Sequence, residues 1–292
     1  MNAVKEIAYA KINLHLDVIG KRDDGFHDIK TVMHSVSLSD ELVVSVAPAR
    51  EISVRLSIDG NRHLPTDSRN LVYSAAVLFL KRLGVSADVQ ILLKKRIPVS
   101  AGLAGGSSDA AATLRALNRL YKKPFTQKAL VAMAAELGSD VPYCVVGKTA
   151  LCEGRGEKIR RIDTRLSLNL VVASAGEYSS TPEAYRELDD EYCKDGAFNT
   201  DGERHLEILM DMLKSGELCS DGFYNLFEKT VLRKCKRSCE LKEKLEKLSA
   251  VAVMMSGSGP SVFAVFESAE PAEQACRSLI AQGYHAWAAK SV

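Results

Sequence analysis

Pro98-Val99-Ser100-Ala101-Gly102-Leu103-Ala104-Gly105-Gly106-Ser107-Ser108-Asp109 is a run of small residues with three glycines. Glycine lets the backbone adopt positive φ and approach a ligand closely. Behind it, Asp109 to Leu120 carries Ala110, Leu114, Leu117 and Leu120 at helical spacing. In front of it, Val89 to Leu93 reads as a short strand. A helix leaves its first N–H groups unpaired and points its positive dipole end at the preceding loop. Strand, glycine loop and helix together predict an anion site suited to phosphates. Ser107 and Ser108 are candidates to cap the helix, bond a phosphate oxygen or contact Mg²⁺, and Asp109 reads as a first-turn carboxylate favoured by the dipole. Taken alone, the loop is equally a flexible Gly/Ser linker with an N-cap; its setting favours phosphate.

Further out, Ala8 to Ile19 alternates Ile12, Leu14, Leu16 and Val18 with polar residues, and Gly20 to Gly25 has turn chemistry. Strands are predicted at 42–46 and 52–58, and a helix at 71–83 that Asp67 or Ser68 helps to start. Gln127 to Leu137 is a helix ended by Gly138. The chain turns polar and basic near Gly154 to Asp163, which suggests a division into domains of residues 1–158 and 159–292. The second half is predicted to hold strands at 168–173, 250–255 and 262–266, a long helix at 223–248 and a helix at 272–282. Helices set against short strands give an α+β class in both halves.

The formal net charge is +2 over 292 residues, too small for a generic polyanion binder, so nucleic acid is not expected as a partner. The seven cysteines include no Cys-x-x-Cys pair, which predicts a reducing compartment and no zinc site. No apolar run approaches the roughly 20 residues of a membrane span, and residues 1–13 lack a signal-peptide pattern. A cytoplasmic protein acting without a membrane is expected, as a monomer or homodimer.

Two rival phosphate motifs fail on spacing. Gly147-Lys148-Thr149 would need a glycine where Pro142 stands, and Gly257-Ser258-Gly259 would need one at Val262. Lys11 interrupts the apolar strand Ala8 to Leu14, and Asp140 lies in Gly138-Ser139-Asp140-Val141-Pro142. Singly, these are an edge-strand lysine and a turn aspartate, and their spacing does not pair them. Met254 to Ser261 reads as a hairpin loop or as a second glycine loop over a ligand.

The order of these segments resembles the GHMP superfamily of kinases, whose members include galactokinase, homoserine kinase and mevalonate kinase. The resemblance rests on Ala8 to Leu14, Asp23-Asp24-Gly25-Phe26-His27, Pro98 to Ser108, Gly138 to Pro142 and Ser256 to Ser261. It implies a two-domain fold, with an N-terminal domain like ribosomal protein S5 domain 2 and a ferredoxin-like C-terminal domain. It implies ATP as donor with Mg²⁺, whose ligands it does not specify, and Lys11 and Asp140 as the catalytic pair. It also implies nucleotide contacts from Pro98 to Ser108, Asn70 and Lys95. Gly25-Phe26-His27 is similar to the branch whose acceptor is the 2-hydroxyl of a cytidine-diphosphate-linked sugar alcohol of the non-mevalonate isoprenoid route. There His27 would bond the cytosine edge between Phe26 and Tyr185, downstream of Thr181, and Asn13 would meet the sugar alcohol. The acceptor is thus a small molecule.

Overall fold

The computed structural model describes residues 2–61 and 63–292. In chain order its strands and helices are β1 (Ala3–Lys21), β2 (His27–Pro48), β3 (Ser53–Asp59), α1 (Leu71–Leu83), β4 (Ala87–Lys94), α2 (Gly105–Leu120), α3 (Gln127–Ala135) and α4 (Val141–Val146). There follow β5 (Thr149–Gly154), β6 (Lys158–Arg161), β7 (Asn169–Ser174), α5 (Thr181–Tyr192), β8 (Cys193–Lys194), β9 (Ala197–Phe198), α6 (Gly202–Ser215) and β10 (Tyr224–Asn225). The chain ends with α7 (Glu228–Lys234), α8 (Lys236–Glu246), β11 (Ala252–Met255), β12 (Val262–Phe266), α9 (Ala269–Ala281) and β13 (His285–Lys290). The α+β class is as expected.

These elements form two compact units. One comprises Met1–Ala10, Ser39–Val99 and Ala104–Gly147; the other comprises Lys11–Leu38, Ser100–Leu103 and Lys148–Val292. Neither unit is one continuous stretch of the chain. The chain passes from one unit to the other inside β1, inside β2 and within the glycine segment.

In the first unit, Glu41–Pro48 of β2 runs antiparallel to β4, and β3 runs parallel to β4. The crossover between β3 and β4 is α1. Asn70 caps this helix by accepting from Val72 N, so the start falls to Asn70 rather than to Asp67 or Ser68. Gly84 ends it in the left-handed region, with its N–H on Leu80 O. Val72, Ala75, Ala76, Phe79 and Leu80 form its buried stripe.

In the second unit, β7, α5 to α8, β11, β12, α9 and β13 give a βαββαβ order, and the sheet runs β11-β12-β7-β13, all antiparallel. That is the ferredoxin-like arrangement. Leu241 and Leu245 of α8 and Ala275 and Leu279 of α9 close one core with Val171, Ala173, Val262 and Phe266. A second core gathers Leu16, Val18, Ala184, Leu188, Phe227, Val231 and Met255.

Several elements depart from the pattern reading. β2 spans 22 residues, not five, because its buried polar side chains break the apolar alternation and are satisfied in place. His34, for example, meets the hydroxyls of Thr149 and Ser291 at 2.8 Å each. The helix expected over 223–248 is broken. Tyr224 and Asn225 pair with β1, and Cys235 leaves helical geometry at φ −86°, ψ 73°. Helical periodicity does not register a one-residue break. The polar segment 189–203 holds a hairpin turned at Asp195-Gly196, both at positive φ. Among the described residues no helix is long and apolar enough to cross a membrane.

Candidate active site

The first unit carries the phosphate-like element. Helix α2 starts at Gly105, four residues earlier than predicted, after Ala104 in the left-handed region at φ 53°. No side chain caps it. Gly105, Gly106 and Ser107 therefore form its first turn, where helix N–H groups have no partner within the helix. Gly106 is exposed and Ser107 half-buried. Ser108 is turned inward, its hydroxyl donating to Tyr9 O at 2.7 Å, so the capping and phosphate roles suggested for its side chain do not hold. Pro98 is half-buried and Val99 exposed ahead of this turn.

Lys95 and Asp109 are placed differently from the sequence reading. The Lys95 ammonium lies between Asp40 and Asp109, 3.0 Å from the latter. It is not offered to a nucleotide. Asp40 also accepts from the backbone N–H groups of Arg96 and Ile97. Asp109 meets Lys95 through Oδ2, and its Oδ1 is buried without a hydrogen-bond partner. Burial, opposed by Lys95 and reinforced by Asp40, pushes the Asp109 carboxyl up to about 8. A Cβ at Gly105 would lie 2.8 Å from Lys95 Nζ and 3.0 Å from Ile97 Cγ2, so a larger residue where the helix starts would have to displace them. Asn70 spends its amide on α1, accepting from Val72 N and donating to Pro65 O.

Asp140 precedes α4, half-buried, and its carboxylate makes no capping bond to that helix. Gly138 N–H closes the end of α3 on Ala134 O, and Val141 N–H returns to Gly138 O. The turn is thereby fixed by backbone bonds.

The second unit carries Lys11, only 4% exposed. Its ammonium donates to Asn13 Oδ1 at 2.7 Å; Asn13 Nδ2 donates to Thr31 Oγ1, and Thr31 donates to His15 O. That chain fixes the Asn13 amide with its oxygen toward Lys11. The backbone N–H of Lys11 bonds Leu103 O, and Ser256 Oγ bonds Gly102 O. Asn225 ties the second glycine loop down by donating to Met255 O and Gly257 O. A Cβ at Gly257 would stand 3.2 Å from Lys11 Nζ. The glycine segment at 100–103, the Ser256 loop and Lys11 thus meet within one unit. Ser100 and Gly102 hold positive φ there, and Ala101 is buried.

His27 is buried in the same unit. Its Nε2 lies 2.7 Å from Asp189 Oδ1, and Lys21 Nζ lies 2.7 Å from Asp189 Oδ2. Burial works to raise the Asp189 carboxyl, but Lys21 and His27 hold it below the usual range. Tyr185 stacks on His27 with centroids 4.4 Å apart and meets Phe227 edge-on. Tyr185 thus packs on the imidazole. Phe26 is 49% exposed, with the Arg155 guanidinium 3.8 Å from its ring centre. Thr181, in the first turn of α5, shares a 2.7 Å hydrogen bond with Ser258.

Residues 70–148 match the family of GHMP kinases N terminal domains, and residues 204–285 match that of GHMP kinases C terminal domains. The 4-diphosphocytidyl-2-C-methyl-D-erythritol kinase of Caldicellulosiruptor saccharolyticus is 38% identical over 274 residues, covering 93% of this chain and 91% of that one. The enzyme of the same name from Bacillus pumilus is 42% identical over 264 residues, 90% of this chain and 88% of the other. The chain belongs to the GHMP kinase family. A solved structure of 4-(cytidine 5'-diphospho)-2C-methyl-D-erythritol kinase superposes with a TM-score of 0.81 at 33% identity, covering 98% of each chain. Homoserine kinase from Cytophaga hutchinsonii gives 0.77 at 18% identity, over 100% of this chain and 95% of that one, a likeness of fold.

In this GHMP kinase the motifs did not reveal the partners of the segments they marked. Asp40, Asp189 and Asn225 escaped the sequence reading. Each lies among ordinary polar residues, and each acts on a group far along the chain; Asp189 and His27 are 162 positions apart. Among the described residues no group of three His, Cys, Asp or Glu side chains is placed to hold a metal.

Proposed function

We propose that this chain is an ATP-dependent 4-diphosphocytidyl-2-C-methyl-D-erythritol kinase, transferring the γ-phosphoryl group to the 2-hydroxyl of a cytidine-diphosphate-linked sugar alcohol in the cytoplasm. One observation carries the reading beyond family membership: the uncapped start of α2, where Gly105, Gly106 and Ser107 leave helix N–H groups for phosphate oxygens. A side-chain cap there would compete with a ligand; none is made. The two relatives at 38% and 42% identity over some nine-tenths of the chain support the choice of substrate.

In this reading the backbone of Pro98 to Ser108 binds the phosphates of ATP. Ser107 is the hydroxyl best placed to join phosphate oxygens around Mg²⁺, which neutralises phosphate charge when bound; Asp109 is committed to Lys95. Asp140, at the turn before α4, orients the acceptor hydroxyl and takes its proton. Lys11, its ammonium aimed by Asn13, stabilises negative charge on the transferring group. Phosphoryl transfer depends mainly on such positioning and charge stabilisation. Phe26 offers an exposed ring face to cytosine and His27 a polar edge, with Tyr185 backing the imidazole.

The test is a coupled ADP-release assay on the purified protein with several alcohols. The cytidine-linked substrate should give the highest kcat/KM. Preference for homoserine or mevalonate would reject this substrate while leaving the family intact.

A further inference from the structure

Asp189 has no part in the reaction described so far, yet it joins an imidazole and an ammonium at well-formed distances. Its two oxygens are divided, Oδ1 to His27 Nε2 and Oδ2 to Lys21 Nζ, both at 2.7 Å. An ionised carboxylate only accepts hydrogen bonds, so Nε2 is the nitrogen that carries the proton. A neutral imidazole then holds its lone pair at Nδ1. Among the described residues no group hydrogen-bonds Nδ1. The ring is held from swinging over: Tyr185 stacks on its face at an interplanar angle of 17°, and Phe198 meets it edge-on at 6.1 Å.

We propose that Asp189 is a positioning residue that fixes the tautomer of His27, and that the resulting acceptor at Nδ1 makes this kinase select cytosine over uracil. Cytosine carries an amino group at position 4, two N–H donors, where uracil carries a carbonyl oxygen. An acceptor at Nδ1 pairs with the amino group and faces the lone pairs of the uracil oxygen. A buried site built to hydrogen-bond one group discriminates strongly against an analogue that leaves it unpaired. The proposal rests on the reading above, in which His27 meets the base.

Lys21 makes the test sharp. In Asp189→Asn the amide oxygen must face the Lys21 ammonium, so the amide NH₂ faces His27 Nε2 and requires an acceptor there. The proton then moves to Nδ1, which becomes a donor. For Asp189→Asn, KM for the cytidine-linked alcohol should rise about 10- to 100-fold. The cytidine-over-uridine ratio of kcat/KM should fall by a similar factor, while KM for ATP and kcat at saturation stay near wild type. Asp189→Glu, which keeps the carboxylate, should recover part of the loss. Nitrogen-15 NMR of the imidazole, run without substrate, should find Nε2 protonated in the wild type and Nδ1 protonated in Asp189→Asn.

A wild-type spectrum with the proton on Nδ1 would overturn the tautomer assignment. So would an Asp189→Asn protein that melts normally and keeps both its tautomer and its base preference. A wild type that leaves the cytidine-linked alcohol untouched would overturn the functional reading, and base selection with it. Because the spectrum needs no substrate, that failure is distinguishable from failure of the Asp189–His27 link.

Discussion

Two carboxylate-bridged clusters in this protein use the same chemistry for opposite ends. Asp40, Lys95 and Asp109 have side chains 0%, 5% and 2% exposed. His27, Asp189 and Lys21 have side chains 6%, 14% and 47% exposed. The first is sealed, and its charges answer one another beneath the start of α2. The second has one wet end, and its imidazole keeps a nitrogen that no described residue bonds. Access, not residue type, separates a structural knot from a group that can meet a ligand. Lys95 and Lys21 are both lysines beside aspartate, and no local sequence feature ranks one above the other.

The contrast yields graded expectations. A ligand-facing residue should cost turnover and spare folding. Asp140→Ala should lower kcat by about 10²–10⁴-fold with an unchanged melting temperature; near-normal turnover would remove Asp140 from the mechanism. A sealed residue should do the reverse. Lys95→Met leaves two buried carboxylates without their cation and should cost about 3–5 kcal/mol in chemical denaturation. A stable Lys95→Met protein with a raised KM for ATP would break the comparison and return Lys95 to the nucleotide site. Phe26→Ala removes a stacking face worth about 1–3 kcal/mol and should raise KM for the cytidine-linked alcohol while leaving KM for ATP alone.

The last expectation is a pH dependence. The Asp109 carboxyl is raised in the folded state to about 8, from 3.8 in the unfolded chain. The folded state therefore holds this proton more tightly. The stability it contributes is complete below pH 3.8 and is lost as pH rises toward 8. Asp109→Asn, which cannot ionise, should gain in melting temperature relative to wild type between pH 5 and pH 8. A constant difference over that range would place the proton elsewhere in the knot.

The glycine segment was legible because backbone freedom leaves a local mark, whereas Lys11, Asp140 and the Gly25-Phe26-His27 turn were singled out by the resemblance to the GHMP superfamily. The β-strands of the ferredoxin-like sheet were largely legible from composition; Val262 to Phe266 and Leu170 to Ala173 are continuous apolar runs. Other features had no local mark. β2 was hidden by polar residues whose partners, such as Thr149 and Ser291 for His34, lie over a hundred positions away. The fate of Lys95 depended on Asp40, 55 positions distant. Helix α6 did carry a signal, the spacing of Leu206, Leu209 and Leu213, that the pattern reading passed over.

The account stands most directly on where the phosphoryl group goes. Phosphorus-31 NMR of the protein with ATP, Mg²⁺ and the cytidine-linked alcohol should develop one new phosphomonoester resonance in step with ADP, with the cytidine diphosphate linkage intact. ATP converted to ADP and inorganic phosphate alone, or left unchanged, would contradict it.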